Sequence, residues 1–179
     1  MSRYVPKHVT QDDGSQCQWE HCWAAVGAWL AAGASGGART PEPTYFCYQA
    51  RKSPCDNGGI SDVMRGLTNM GLRYVYKPNV PKDDLRRLLM SPTGKLVMLE
   101  IDMDSWPESN GDAYHSIGII CGQGTGPNKG CVRTMDPAEH HYNWRDVDGV
   151  IAAAAEYNAE HHETPGTIDA LIVLPPQEK

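Results

Sequence analysis

The chain has 179 residues, of which 16 are basic and 22 acidic, for a net charge of −6 at pH 7. That length suits one domain burying roughly two-thirds of its unfolded surface, so a single domain over residues 1–179 is expected. Scattered basic residues leave no electrostatic footprint for nucleic acid, and no apolar stretch approaches the ~20 residues of a membrane helix. Neither partner is expected, and the chain reads as soluble. The start, Met-Ser-Arg-Tyr-Val-Pro-Lys-His, lacks the apolar core of a secretory signal, so synthesis in a cytoplasm is the expectation.

From Cys22 to Ala32 the run CWAAVGAWLAA predicts a buried helix, stopped by the glycine-rich GASGG. Thr40-Pro41-Glu42-Pro43 can open a short helix over Thr44 to Lys52, because threonine caps and proline is tolerated in a first turn. A third helix runs from Ser61 to Met70, with Ser61 capping it and Gly71 closing it. Short apolar strands follow at Leu72 to Tyr76, Leu96 to Met103, His115 to Cys121, Val132 to Met135 and Ala170 to Leu174, separated by Pro and Gly turns. A small helix, Lys82 to Met90, lies between the first two, and an alanine-rich helix is predicted from Trp144 to Asn158. Helices first, then an antiparallel sheet with inserted helices, is an α+β pattern.

Cys22 stands where the N-terminal end of a helix lowers a thiol pKa through its dipole and free amides. A lone cysteine is otherwise more often a buried structural residue. His115 opens a strand, where a polar side chain can sit at the sheet edge. The hairpin after that strand can return Asp136 beside it, although Asp before Pro is also a common turn dipeptide. The adjacent pairs His140-His141 and His161-His162 fall in polar stretches and read as solvated. His21 would have to fold back on its own neighbour to serve Cys22, and reads as a surface residue.

Six cysteines without a Cys-x-x-Cys pair are too few for a disulfide scaffold. Cys47, Cys55 and Cys17 have poor spacing for zinc, so no metal is expected. Cys121 and Cys131 flank a Gly/Pro hairpin and could form an optional disulfide. Gly58-Gly59 precedes a helix, but without Gly-Lys-Ser/Thr it is no phosphate loop.

Gln16 lies six residues before Cys22 and Trp23-Ala24 follow it, so the order Gln-x5-Cys-Trp-Ala resembles the papain-like cysteine peptidases. The resemblance implies Cys22 as nucleophile, His115 as base, Asp136 as its orienting group, and Gln16 with the Cys22 backbone N–H as the oxyanion hole. Gln11 and Gln18 remain alternatives to Gln16. It also implies a helical part carrying Cys22 packed on an antiparallel sheet carrying His115 and Asp136, with Gly58, Gly59 and Trp23 along the substrate cleft. Asp136-Pro137, in place of papain's Asn, resembles the bacteriocin-leader (double-glycine) peptidases, as do Tyr142-Asn143-Trp144-Arg145 and the last strand. His21-Cys22-Trp23 departs from that branch, which often has Asp-Cys-Gly.

The expected activity is cofactor-free hydrolysis of peptide bonds, in a protein or in bacterial cell-wall peptides, by a small bacterial or phage-encoded enzyme. A reading from another class is a structural or interaction protein that kept the fold, such as a phage-particle component. Transglutaminase-like acyl transfer would use the same Cys, His and Asp.

Overall fold

The computed structural model describes residues 1–12, 21–103 and 114–179. Helix α1 (Cys22–Ala34) forms where the alanine-rich run predicts it, and every residue from Trp23 to Gly33 is buried. A helix apolar on all sides must be covered on all sides. It is enclosed by α2 (Pro43–Gln49), α3 (Ile60–Asn69) and one face of a sheet. Its glycines make the close approaches: a Cβ on Gly27 would lie 2.2 Å from the Phe46 ring, and one on Gly33 2.1 Å from Leu96. The helix ends at Gly36 and Gly37, whose φ values of 61° and 84° suit glycine.

The sheet has six strands, β1 (Val75–Pro81), β2 (Leu96–Asp102), β3 (Tyr114–Ile120), β4 (Cys131–Met135), β5 (Asn143–Asp146) and β6 (Thr167–Val173), in the order β1-β6-β2-β3-β4-β5 with every pairing antiparallel. Helices α4 (Lys82–Met90) and α5 (Val147–His161) cover the face opposite α1. Strand periodicity sorts the side chains between the two layers. Leu96, Met98, Ile120, Met135, Leu171 and Val173 face the α1 side, and Val97, Leu99, Ile101, Ile117, Ile119, Val132 and Ile172 face the α5 side. Both faces of β2 are covered, which is why it reads as an unbroken apolar run.

Three elements differ from expectation. Helix α3 is capped at Gly59, whose N–H donates to Asp62 Oδ2 at 3.1 Å, and not by Ser61, which lies inside its first turn. The first strand is not Leu72 to Tyr76: Leu72 and Tyr74 pack on the α1-side core, and the chain pairs with β6 only from Val75. β1 is an edge strand with an irregularity between Lys77 and Val80, where Asn79 has a φ of 53°, so propensity marked its start poorly. The late helix starts at Val147 rather than Trp144. Asp146 caps it by accepting the Gly149 N–H at 2.9 Å, and the three residues before Asp146 pair with β4 instead.

The N-terminal segment is tied across the sheet end. Tyr142 Oη donates to the Pro6 carbonyl at 2.7 Å and accepts the Trp29 Nε1–H at 2.6 Å, while Gln11 N–H and Thr10 Oγ1 both donate to the Pro137 carbonyl, at 2.9 and 3.1 Å. No helix among the described residues is long and apolar enough to cross a membrane.

Candidate active site

Three elements converge on Cys22. The cysteine is the first residue of α1, where the unsatisfied N–H groups and the positive end of the dipole favour a thiolate. β3 runs antiparallel between β2 and β4 and delivers His115 at its start. The turn after β4 delivers Asp136. His115 Nε2 donates to Asp136 Oδ1 at 2.6 Å, and both side chains are buried. The same ring hydrogen-bonds the Cys22 sulfur. With Nε2 committed to Asp136, Nδ1 is the nitrogen left for sulfur.

The electrostatics follow from this chain of contacts. Burial pushes the Cys22 thiol up, but the hydrogen bond and charge of His115, joined by the backbone N–H and hydroxyl of Ser116, outweigh it and leave the thiol below its ordinary value. Burial alone would lower His115; the hydrogen bonds and negative charges of Asp136 and Cys22 win, raising it to about 10. Asp136 is pushed up by burial and brought below the usual carboxylate range by His115, the Ala138 N–H and the charge of Arg145. Opposite shifts on neighbouring Cys and His describe a thiolate–imidazolium pair.

Surrounding groups fix the Asp136 end. Ala138 N–H donates to Asp136 Oδ1 at 2.9 Å, and His8 Nε2 lies 3.0 Å from the Asp136 carbonyl oxygen. Arg145 is held by Glu139 at 2.5 Å. Ser116, buried and next to His115, was not singled out from sequence. Its signal was two consecutive polar residues opening an apolar strand, with one of them on each face.

The other expected site residues are spread over several roles. Gly58 and Gly59 lie in the loop entering α3, on the Cys22 side of the molecule. A Cβ on Gly58 would come within 2.6 Å of the Trp23 indole, and one on Gly59 within 2.1 Å of Glu100 Oε1. Trp23 is fully buried, stacked edge-on to Phe46 with its Nε1–H on the Asp56 carbonyl. It therefore supports the Gly58 wall from behind and does not itself line an open cleft. Gln16 and Gln18 lie outside the described residues. Gln11 is only 6% exposed, bonds Pro137 through its backbone, and its side-chain Oε1 has no hydrogen-bond partner among the described residues.

Several cysteine and histidine expectations are corrected. Of the two states left open for Cys121 and Cys131, the structure has the free thiols; burial pushes Cys121 up to about 12. Cys55 is disulfide-bonded and Cys47 is buried in the α1-side core. His21 is fully buried rather than at the surface: it is the N-cap residue of α1, whose first turn packs into the core. Among the described residues, the carboxylates of Asp102, Glu156 and Glu160 lie within 4.8 Å of one another. A hydrogen bond with Asp102 raises Glu160.

No protein-family model and no curated protein matches the chain. Solved structures do. The peptidase domain of Streptococcus ComA, a bi-functional ABC transporter of a quorum-sensing pathway, aligns with a TM-score of 0.54 and 11% identity over 96% of this chain and 98% of that one. A candidate C39-like peptidase from Bacillus anthracis aligns with a TM-score of 0.61 and 11% identity over 97% of this chain and 96% of that one. At such identity the likeness is one of fold: helices on a multi-stranded antiparallel sheet, in the papain-like α+β arrangement. The buried Cys22, His115 and Asp136 cluster stands within that fold as a cysteine-peptidase-like arrangement.

Proposed function

We propose that residues 1–179 act as one papain-like cysteine peptidase domain, nearest in kind to the C39-type peptidases, that hydrolyses peptide bonds. The observation that carries this reading is a single imidazole, His115, bonded at once to the Asp136 carboxylate and the Cys22 sulfur, with the thiol lowered and the imidazole raised. A structural cysteine in an apolar core shifts the other way, as Cys121 does.

In the reaction, the Cys22 thiolate attacks the scissile carbonyl carbon, forming a C–S bond as the carbonyl π pair moves onto oxygen. The Cys22 backbone N–H and a glutamine side-chain amide hold that oxyanion. Gln16 has the spacing for this role, and Gln11 the burial beside Pro137. The His115 imidazolium gives its proton to the departing amine as the C–N bond breaks, leaving a thioester. His115 then takes a proton from water, whose oxygen attacks the thioester, and the carboxylic acid leaves as Cys22 is restored. Asp136 keeps the ring oriented and its charge compensated throughout. The substrate is a peptide segment of a protein or of bacterial cell wall, and a bacterial or phage source fits that class.

The test combines turnover with labelling. Peptide libraries and cell-wall peptides are incubated with the wild-type protein, Cys22→Ala and His115→Ala, and Cys22 is alkylated at about pH 6. Cleavage by the wild type alone, with fast alkylation, is expected. Absence of wild-type cleavage, with Cys22 reacting no faster than an ordinary thiol, removes the peptidase reading.

A further inference from the structure

Glu100 is a partly buried carboxylate that the reaction above does not use. It sits on β2 directly opposite Ser116 on β3, and opposed residues on neighbouring antiparallel strands put their side chains on one face, with Cβ atoms about 5 Å apart. Ser116, together with His115, hydrogen-bonds Cys22. Glu100 therefore lies one strand away from the reactive atom. Its Oε1 accepts the Ile60 N–H at 3.1 Å, at the start of α3, and its carboxylate also accepts the Tyr157 hydroxyl from α5. Gly59 faces Oε1 so closely that any side chain there would cover the carboxylate.

We propose that Glu100, Ser116 and Gly59 form a side-chain subsite beside Cys22 that selects a lysine or arginine of the peptide substrate. This rests on the peptidase reading and deepens it. A carboxylate offers about four acceptor positions; Ile60 and Tyr157 occupy two. Among the described residues no lysine or arginine pairs with Glu100; the charges that reach it are those of His162, which lowers it, and Asp169, whose raising effect is the smaller. Burial raises the Glu100 pKa against the lowering hydrogen bonds of Ile60 and Tyr157 and the lowering effect of His162, and no lysine or arginine among the described residues brings it a full positive charge. An incoming ammonium or guanidinium supplies that charge and fills the free acceptor positions. Capping α3 alone would need only a neutral acceptor, so Glu100→Gln separates the two roles: its amide oxygen still accepts from Ile60, while the charge is gone.

The experiment compares hexapeptides carrying either lysine or norleucine at one position at a time. The kcat/KM ratio, lysine over norleucine, is expected to exceed roughly tenfold at one position in the wild type and to fall toward one in Glu100→Gln. A ratio that Glu100→Gln leaves unaltered overturns the proposal. In parallel, calorimetry measures binding of the same peptides to Cys22→Ala, with and without Glu100→Gln. If no peptide is cleaved but the lysine peptide binds more tightly and loses that advantage with Glu100→Gln, the peptidase reading fails and the subsite stands. Equal affinity for lysine and norleucine peptides overturns the subsite whatever the turnover.

Discussion

Replacing Asp136 with asparagine keeps the shape of the side chain and an acceptor for both His115 Nε2 and the Ala138 N–H, at 2.6 and 2.9 Å, but removes the charge. A hydrogen bond to a charged group contributes about 1.5–3 kcal/mol, and about 1.4 kcal/mol corresponds to one pKa unit. His115 should therefore drop by about one to two units from its raised value. Cys22 loses part of the imidazolium that lowers it and moves up. The pH window in which thiolate and imidazolium coexist narrows from both sides. The assay is the rate of iodoacetamide alkylation at Cys22 across pH, read by mass spectrometry. An ordinary thiol with a pKa of about 8.5 is about 0.3% thiolate at about pH 6. Wild-type Cys22 should react roughly 10- to 100-fold faster than that, after allowing for the weaker nucleophilicity of low-pKa thiolates. Asp136→Asn should forfeit about tenfold of this advantage.

The same pair makes a stability statement. The His115 pKa is raised on folding, so its contribution is full below about pH 6.5 and is lost as pH rises toward the folded value. Asp136 is lowered, so its contribution is full above about pH 3.9 and is lost as pH falls. Both are complete between about pH 4 and 6.5, and Asp136→Asn should flatten both limbs of the unfolding profile. Alkylation and stability profiles that superimpose for the two proteins would refute the coupling.

Two further substitutions probe the frame around the site. Gly59→Ala places a Cβ 2.1 Å from Glu100 Oε1 at a residue whose φ of −150° any side chain can adopt, so the penalty is steric, about 1–3 kcal/mol in urea unfolding. Most of it should vanish in a Glu100→Ala background, and an equal penalty in both backgrounds contradicts the contact. Tyr142→Phe leaves the Trp29 Nε1–H without its acceptor and Pro6 without its donor, and should cost about 1–3 kcal/mol; a change under about 0.5 kcal/mol means water replaces the hydroxyl.

Much of the fold was legible because its strongest signals are local. A continuous alanine-rich run before GASGG makes α1, and the apolar run Leu96 to Ile101 makes a strand covered on both faces. Where the strand is an edge, as at β1, or where a cap divides strand from helix, as at Asp146, pairing with a distant segment decided the boundary. The resemblance also singled out Cys22, His115 and Asp136 among six cysteines, seven histidines and many acids, and the fold brings these three together. The sequence alone misplaced His21, because burial depends on what the rest of the chain lays over a residue, and the cleft position that the resemblance implied for Trp23 is taken by the fully buried indole behind Gly58. It passed over Ser116 and Glu100, whose relation exists only across the β2–β3 register.

By itself, the sequence determined which side chains are candidates for the chemistry and that one of them begins a helix, since residue types and the i to i+4 hydrogen bonds of a helix are local properties. The tertiary structure decided their electrical state. Cys22 and His115 are 93 positions apart in the chain, and only the packing of α1 against β3 brings them together with Asp136 in a buried setting. There, charge and hydrogen bonding overcome desolvation, lowering the thiol and raising the imidazole so that the two favour an ion pair.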